Sequence, residues 1–186
     1  MTRLSPVVRA GLVTLLLALT PISGVAHARE ITAGERASLA QTVADFATAM
    51  KAKDLEGIVS NSISPRLLET IAKDEQAPVD ALRSSIIASM KASMAGDAIL
   101  SFGMDLSQAK YREAPNGAPY ALIPTETVVD VGAGKIQQTS ETLALIEGGK
   151  WYLLRISKPA QVQLLVRAYP EFANVTFGTG TTKAAP

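Results

Sequence analysis

Between Met94 and Leu100 the spacing of apolar residues changes from helical to alternating, and this switch confines the chain to an α+β architecture. Ahead of it, Thr32-Ala-Gly-Glu35 has the form of a capping box, in which hydroxyl and carboxylate satisfy free amides at a helix start. Leu39, Val43, Phe46 and Met50 then recur on one helical face, which predicts a helix from Gly34 to Ala52. Asp54 can cap a short second helix through Leu55, Ile58 and Val59. Ser64-Pro65 is a further start, serine as cap and proline at the first helical position, leading to Leu67, Leu68 and Ile71. Pro78 resets the chain before Val79, Leu82, Ile86, Met90 and Met94, with a stop expected at Gly96. The two methionines continue an apolar face and read as core or groove filler rather than a metal site.

Beyond Asp97, Leu100, Phe102, Met104 and Leu106 alternate as one face of a strand. After the turn at Pro115-Asn-Gly-Ala-Pro119, an extended stretch runs from Tyr120 to Val131. Pro124 lacks an amide donor, which predicts an edge or bulge before a regular strand from Thr125. Gly132-Ala-Gly134 turns the chain into Lys135–Glu147, and centring that hairpin on Ala133 sets Thr125 opposite Glu141 and Glu126 opposite Ser140. Gly148-Gly149 is a tight hairpin turn, and Trp151–Ile156 returns to complete an antiparallel meander. On this last strand Trp151, Leu153 and Arg155 share one face and Tyr152, Leu154 and Ile156 the other. Pro159 starts a final helix with Val162, Leu165, Val166 and Tyr169 on its apolar side.

The two ends are read differently. Arg3 and Arg9, the apolar run Ala10–Leu19, the break at Pro21–Gly24 and Ala26-His27-Ala28 together form a secretory signal, with cleavage expected after Ala28. The run is too short for a membrane span, which takes roughly 20 apolar residues. The expected product is a soluble exported protein, periplasmic or fully secreted, with one domain over 29–173 and a flexible tail over 174–186. Cleavage would remove Arg3 and Arg9 from the 18 basic residues and leave them balanced against 17 acidic ones, giving no basic patch for nucleic acid. It would also remove His27, the single histidine, from a chain that has no cysteine.

That composition excludes Ser-His-Asp and Cys-His catalysis and ordinary zinc sites from the exported chain. No calcium loop, phosphate loop or dinucleotide fingerprint is present, and no cofactor or metal is implied. Ser107 with Lys110 and Ser157 with Lys158 lack a catalytic context. Carboxylate chemistry would rest on Asp105, Glu126 and Glu141, but the hairpin centred on Ala133 turns the two glutamates to opposite faces.

Phe46-Ala-Thr-Ala-Met50-Lys-Ala-Lys-Asp-Leu55 resembles the first helix and following turn of the NTF2-like superfamily, and Gly148-Gly-Lys-Trp-Tyr152 resembles the start of its last strand. The resemblance, to a group that includes SnoaL-like and ketosteroid-isomerase-like enzymes and many non-enzymatic members, spans about Gly34 to Ile156. It implies helices closing a cone-shaped sheet over a pocket, with the helix from Pro159 as an addition. Enzymatic members hold Asp, His or Tyr in that pocket, and no such motif carries over here.

A pocket for a small apolar or amphipathic ligand is therefore the leading expectation. Tyr120 and Trp151, with Tyr111 and Tyr152, are candidate aromatic walls, Arg155 a polar anchor and Glu126 or Asp130 its partner. Trp151 reads equally as the largest piece of a core. The alternatives are a protein-interaction module, such as an immunity-type protein or an accessory subunit, and a SnoaL-like hydratase or isomerase using carboxylates and tyrosine. Pairing of two copies through the sheet is a further expectation.

Overall fold

The computed structural model describes residues 31–94 and 98–185, with no burial described for Ser93. The expected signal, residues 1–28, and the expected helix stop at Gly96 lie outside the described residues. Four helices, α1 (Ala33–Ala52), α2 (Leu55–Ser62), α3 (Pro65–Asp74) and α4 (Val79–Ser93), precede the sheet. Strands β1 (Ala98–Met104), β2 (Lys110–Glu113), β3 (Pro119–Asp130), β4 (Lys135–Glu147) and β5 (Lys150–Ile156) lead into α5 (Pro159–Ala168), and a last strand, β6, spans Thr181–Ala184.

The helix starts follow local chemistry. Glu35 N donates to Thr32 Oγ1 at 3.2 Å while Thr32 N donates to Glu35 Oε2 at 2.9 Å, completing the box. Asp54 caps α2 through the Gly57 amide at 3.0 Å, and Ser64 caps α3 through that of Leu67 at 3.3 Å.

The sheet is antiparallel and curved, with order β1-β3-β4-β5; β2 also pairs with β3, and β6 with β4. Over β5 and the adjoining parts of β3 and β4 both faces are buried, which the alternation of a strand makes possible only if each face meets its own packed layer. Ala121, Ile123, Ala144, Trp151 and Leu153 pack under α1 against Leu39, Val43 and Phe46. Tyr120, Leu122, Leu143, Tyr152 and Leu154 pack on the other face against α5 and the turn at Phe172. The two faces read from β5 are therefore both core faces.

Several expectations are corrected. Leu100 is 49% exposed, because β1 bulges between Ile99 and Ser101, opposite Val129 and Val128; the extra residue turns Leu100 outward and Ile99 inward. The strand at Pro124 is not interrupted: β3 runs from Pro119, and Pro124 sits between the β2 pairing that ends at Leu122 and the β1 pairing that begins at Thr125. A residue without a donor is tolerated at that seam, and its carbonyl accepts from Asp105 N at 2.9 Å. The β3–β4 hairpin closes with Asp130 opposite Lys135, which places Glu126 opposite Thr139 and Glu141 opposite Pro124. The register is one residue from that expected, so Glu126 and Glu141 lie on the same face. Beyond Asn174, Val175 and Phe177 pack on the α5-side core, and β6 pairs with Ile136–Thr139 of β4.

Candidate functional site

The apolar seal between α1 and the sheet ends part-way along the strands. On the α1 side of β3, Ala121 and Ile123 give way to Thr125, Thr127 and Val129, and on β4 Ala144 gives way to Thr142 and Gln138. Over this stretch the helices and the sheet separate around a cavity of about 540 Å³. That volume lies in the range of small-molecule sites, about 300–1,000 Å³.

The walls are apolar. Phe46 of α1 leans on Phe102 of β1 with ring centroids 5.5 Å apart, and Met50, Ile58, Leu67 and Ile71 continue the helical wall. Met90 and Met94 at the end of α4 close another side, so the methionine face is groove lining. Thr125 and Thr142 form a polar floor: their hydroxyls are 2.7 Å apart, and Thr125 Oγ1 donates to Ile123 O at 3.1 Å. Both threonines are buried, so this pairing is what makes them tolerable beneath an apolar chamber.

Arg155 stands at the rim, bordering the cavity while exposed to solvent. Its Nη2 donates to Gln138 Oε1 at 3.0 Å, in place of the expected Glu126 or Asp130. Among the described residues that line the cavity, Arg155 is the sole ionisable side chain.

The expected site residues are not brought together. Trp151 is 1% exposed in the core beneath α1, with Nε1 donating to Glu35 O at 3.1 Å. Tyr120 is buried on the opposite face, edge-on to Phe172 with centroids 5.2 Å apart. Tyr152 shares that face, while Tyr111 lies under the Arg36 guanidinium, 4.1 Å from its ring centre. Glu126 is exposed on the face away from the cavity. Of the four candidates only Arg155 borders the cavity. The parity of β5 was legible, but α1 covers Trp151 and stops short of Arg155, and where a helix ends over a sheet is a tertiary property. A signal for the missed floor was present: threonines take the alternate positions that Ala121 and Ile123 fill with apolar groups.

The shifted titratable groups lie elsewhere. Glu141 is held below the usual carboxylate range by the Lys110 ammonium, 2.8 Å away, and by the Gly178 amide at 2.9 Å. Although it shares a face with Glu126, it is engaged as an ion-pair partner and not as a proton donor. Burial first, and then hydrogen bonding to Glu147, pushes the Tyr169 phenol far up. Burial also raises Tyr120 and Tyr152. Among the described residues no cluster of three His, Cys, Asp or Glu side chains could hold a metal ion, and no helix is long and apolar enough to cross a membrane.

No protein-family model, curated protein or solved structure matches the chain.

Proposed function

We propose that the protein is an exported, non-catalytic domain of NTF2-like type that binds a small apolar or amphipathic ligand in the cavity between helices and sheet. The observation that carries this reading is a chamber of about 540 Å³ with apolar walls, a mutually bonded Thr125–Thr142 pair in its floor and no carboxylate, histidine, lysine, tyrosine or cysteine among its described lining residues. Proton transfer needs a titratable group within hydrogen-bond reach of the reacting atom. Burial of apolar surface needs only the walls that are present. The curved sheet packed on helices supports the NTF2-like assignment, and the sequence of residues 1–28 supports export.

The test is titration with a neutral apolar fluorophore such as N-phenyl-1-naphthylamine. Saturable binding at one site, weakened by Met90→Trp, which fills the chamber, is expected. Absence of saturable binding would overturn the reading.

A further inference from the structure

The rim of the cavity has a chemistry of its own. Three polar side chains that line the cavity gather at the end of β5, and in each the hydrogen-bond acceptor is absent or already used. Gln161 Oε1 accepts from Ser157 N at 2.8 Å and from Lys158 N at 3.0 Å, which fixes the carboxamide with its oxygen toward the start of α5. Gln138 Oε1 accepts from Arg155, which fixes the second carboxamide in the same sense. In both, the donor contacts identify the oxygen, and among the described residues no acceptor is bonded to either amide NH2. Arg155 adds a guanidinium, which can only donate, and among the described residues no carboxylate pairs with it.

Donors without acceptors, one of them a fixed cation, are complementary to an anion. The Thr125–Thr142 pair cannot compete for that anion, and Thr127, the other buried threonine lining the cavity, lies opposite Gln138 at the rim. Thr125 gives its proton to Ile123 O, so Thr142 must give its own to Thr125, and the pair presents no donor upward. A ligand suited to both regions therefore has an apolar body and a single anionic end.

We infer that the cavity takes an amphipathic anion of the fatty-carboxylate class, its chain among Phe46, Met90, Phe102 and Leu164 and its carboxylate at Arg155, Gln138 and Gln161. This rests on the cavity being a ligand site, as proposed above. Arg155 is a point of selectivity rather than of bulk affinity, since the apolar walls would hold a neutral chain of the same length. Because Arg155 is exposed, the gain lies at the low end for a charge-assisted hydrogen bond, about tenfold.

The experiment compares dodecanoate with dodecanol as competitors of the neutral fluorophore at neutral pH and low salt. The wild-type protein is expected to prefer dodecanoate by about tenfold, less at high salt. Arg155→Met keeps the apolar stem and is expected to erase the preference, weakening dodecanoate about tenfold more than dodecanol. Gln161→Glu keeps an acceptor for Ser157 and Lys158 but replaces a donor with a repelling oxygen, and should weaken dodecanoate more than dodecanol. Equal binding of the two competitors by the wild type, or a preference that survives Arg155→Met, overturns the anionic head and leaves the apolar site standing. Failure of both competitors to displace the fluorophore, or of the fluorophore to bind, overturns the site itself.

Discussion

The indole of Trp151 reaches across the core to the first turn of α1, where Nε1 donates to the carbonyl of Glu35 at 3.1 Å. The same glutamate closes the capping box on Thr32, so the start of α1 is tied at once to its own cap and to β5. Trp151→Ala is expected to cost about 3–5 kcal/mol through the space it leaves. Trp151→Phe should cost about 1–3 kcal/mol, combining lost packing with the lost bond. Urea unfolding followed by far-UV circular dichroism measures both. A change below about 0.5 kcal/mol for the alanine variant, a value typical of surface sites, would contradict the placement of Trp151 in the core.

Tyr169 joins three elements: its hydroxyl meets Ser64 Oγ at the cap of α3 at 2.5 Å and donates to Glu147 at the end of β4, while its backbone ends α5. Tyr169→Phe should destabilise by about 1–3 kcal/mol, because Ser64 and Glu147 lose a partner in a largely buried setting. Since the folded phenol ionises well above the unfolded one, near 10, its contribution is complete below pH 10 and declines as pH rises beyond that. The phenylalanine variant should therefore lose less stability than the wild type on going from pH 9 to above pH 10. Parallel declines would count against the assignment.

Glu141 works in the opposite direction. Its carboxylate is stabilised first by the Lys110 hydrogen bond and then by the Gly178 amide, so its folded pKa lies below the ordinary 4.5. The contribution is present above that value and is lost as pH falls through the folded one. Glu141→Gln should flatten the acid limb of a plot of urea midpoint against pH, and should loosen the segment around Gly178 to limited proteolysis.

The threonine floor should respond asymmetrically. Thr125→Val leaves the Thr142 hydroxyl buried without its partner and is expected to cost about 1–3 kcal/mol. Thr142→Val costs less, because Thr125 keeps its bond to Ile123 O. With both replaced, the pair is nearly neutral, giving a double-mutant cycle with clear coupling. An additive cycle would show that the hydroxyls do not pair.

What was legible in the sequence is what local chemistry decides. The Thr32 and Ser64 caps, and the Gly148-Gly149 hairpin with φ of 58° and 80°, depend on neighbours a few residues away. The loop at Gly132 was misplaced by one residue because its closure, Val131 N to Gly134 O at 3.0 Å, uses four residues that no dipeptide motif specifies. The bulge at Leu100 was hidden for a related reason: alternation in β1 looks regular until its pairing with β3 is known. The cavity was least visible. It arises where α1 ends relative to β3, and its rim depends on Gln138 and Gln161, residues remote in sequence from Arg155.

The outer edge of β4 carries two partners in series, β5 along Glu141–Glu147 and β6 along Ile136–Thr139. The second is four residues long and is contributed from beyond Gly180, whose added Cβ would stand 3.0 Å from Thr139 O. A chain cut ahead of Thr181 would bare the amides and carbonyls of that half-edge, a template on which another chain can add a strand. Truncation ahead of Thr181 is therefore expected to be felt first as aggregation.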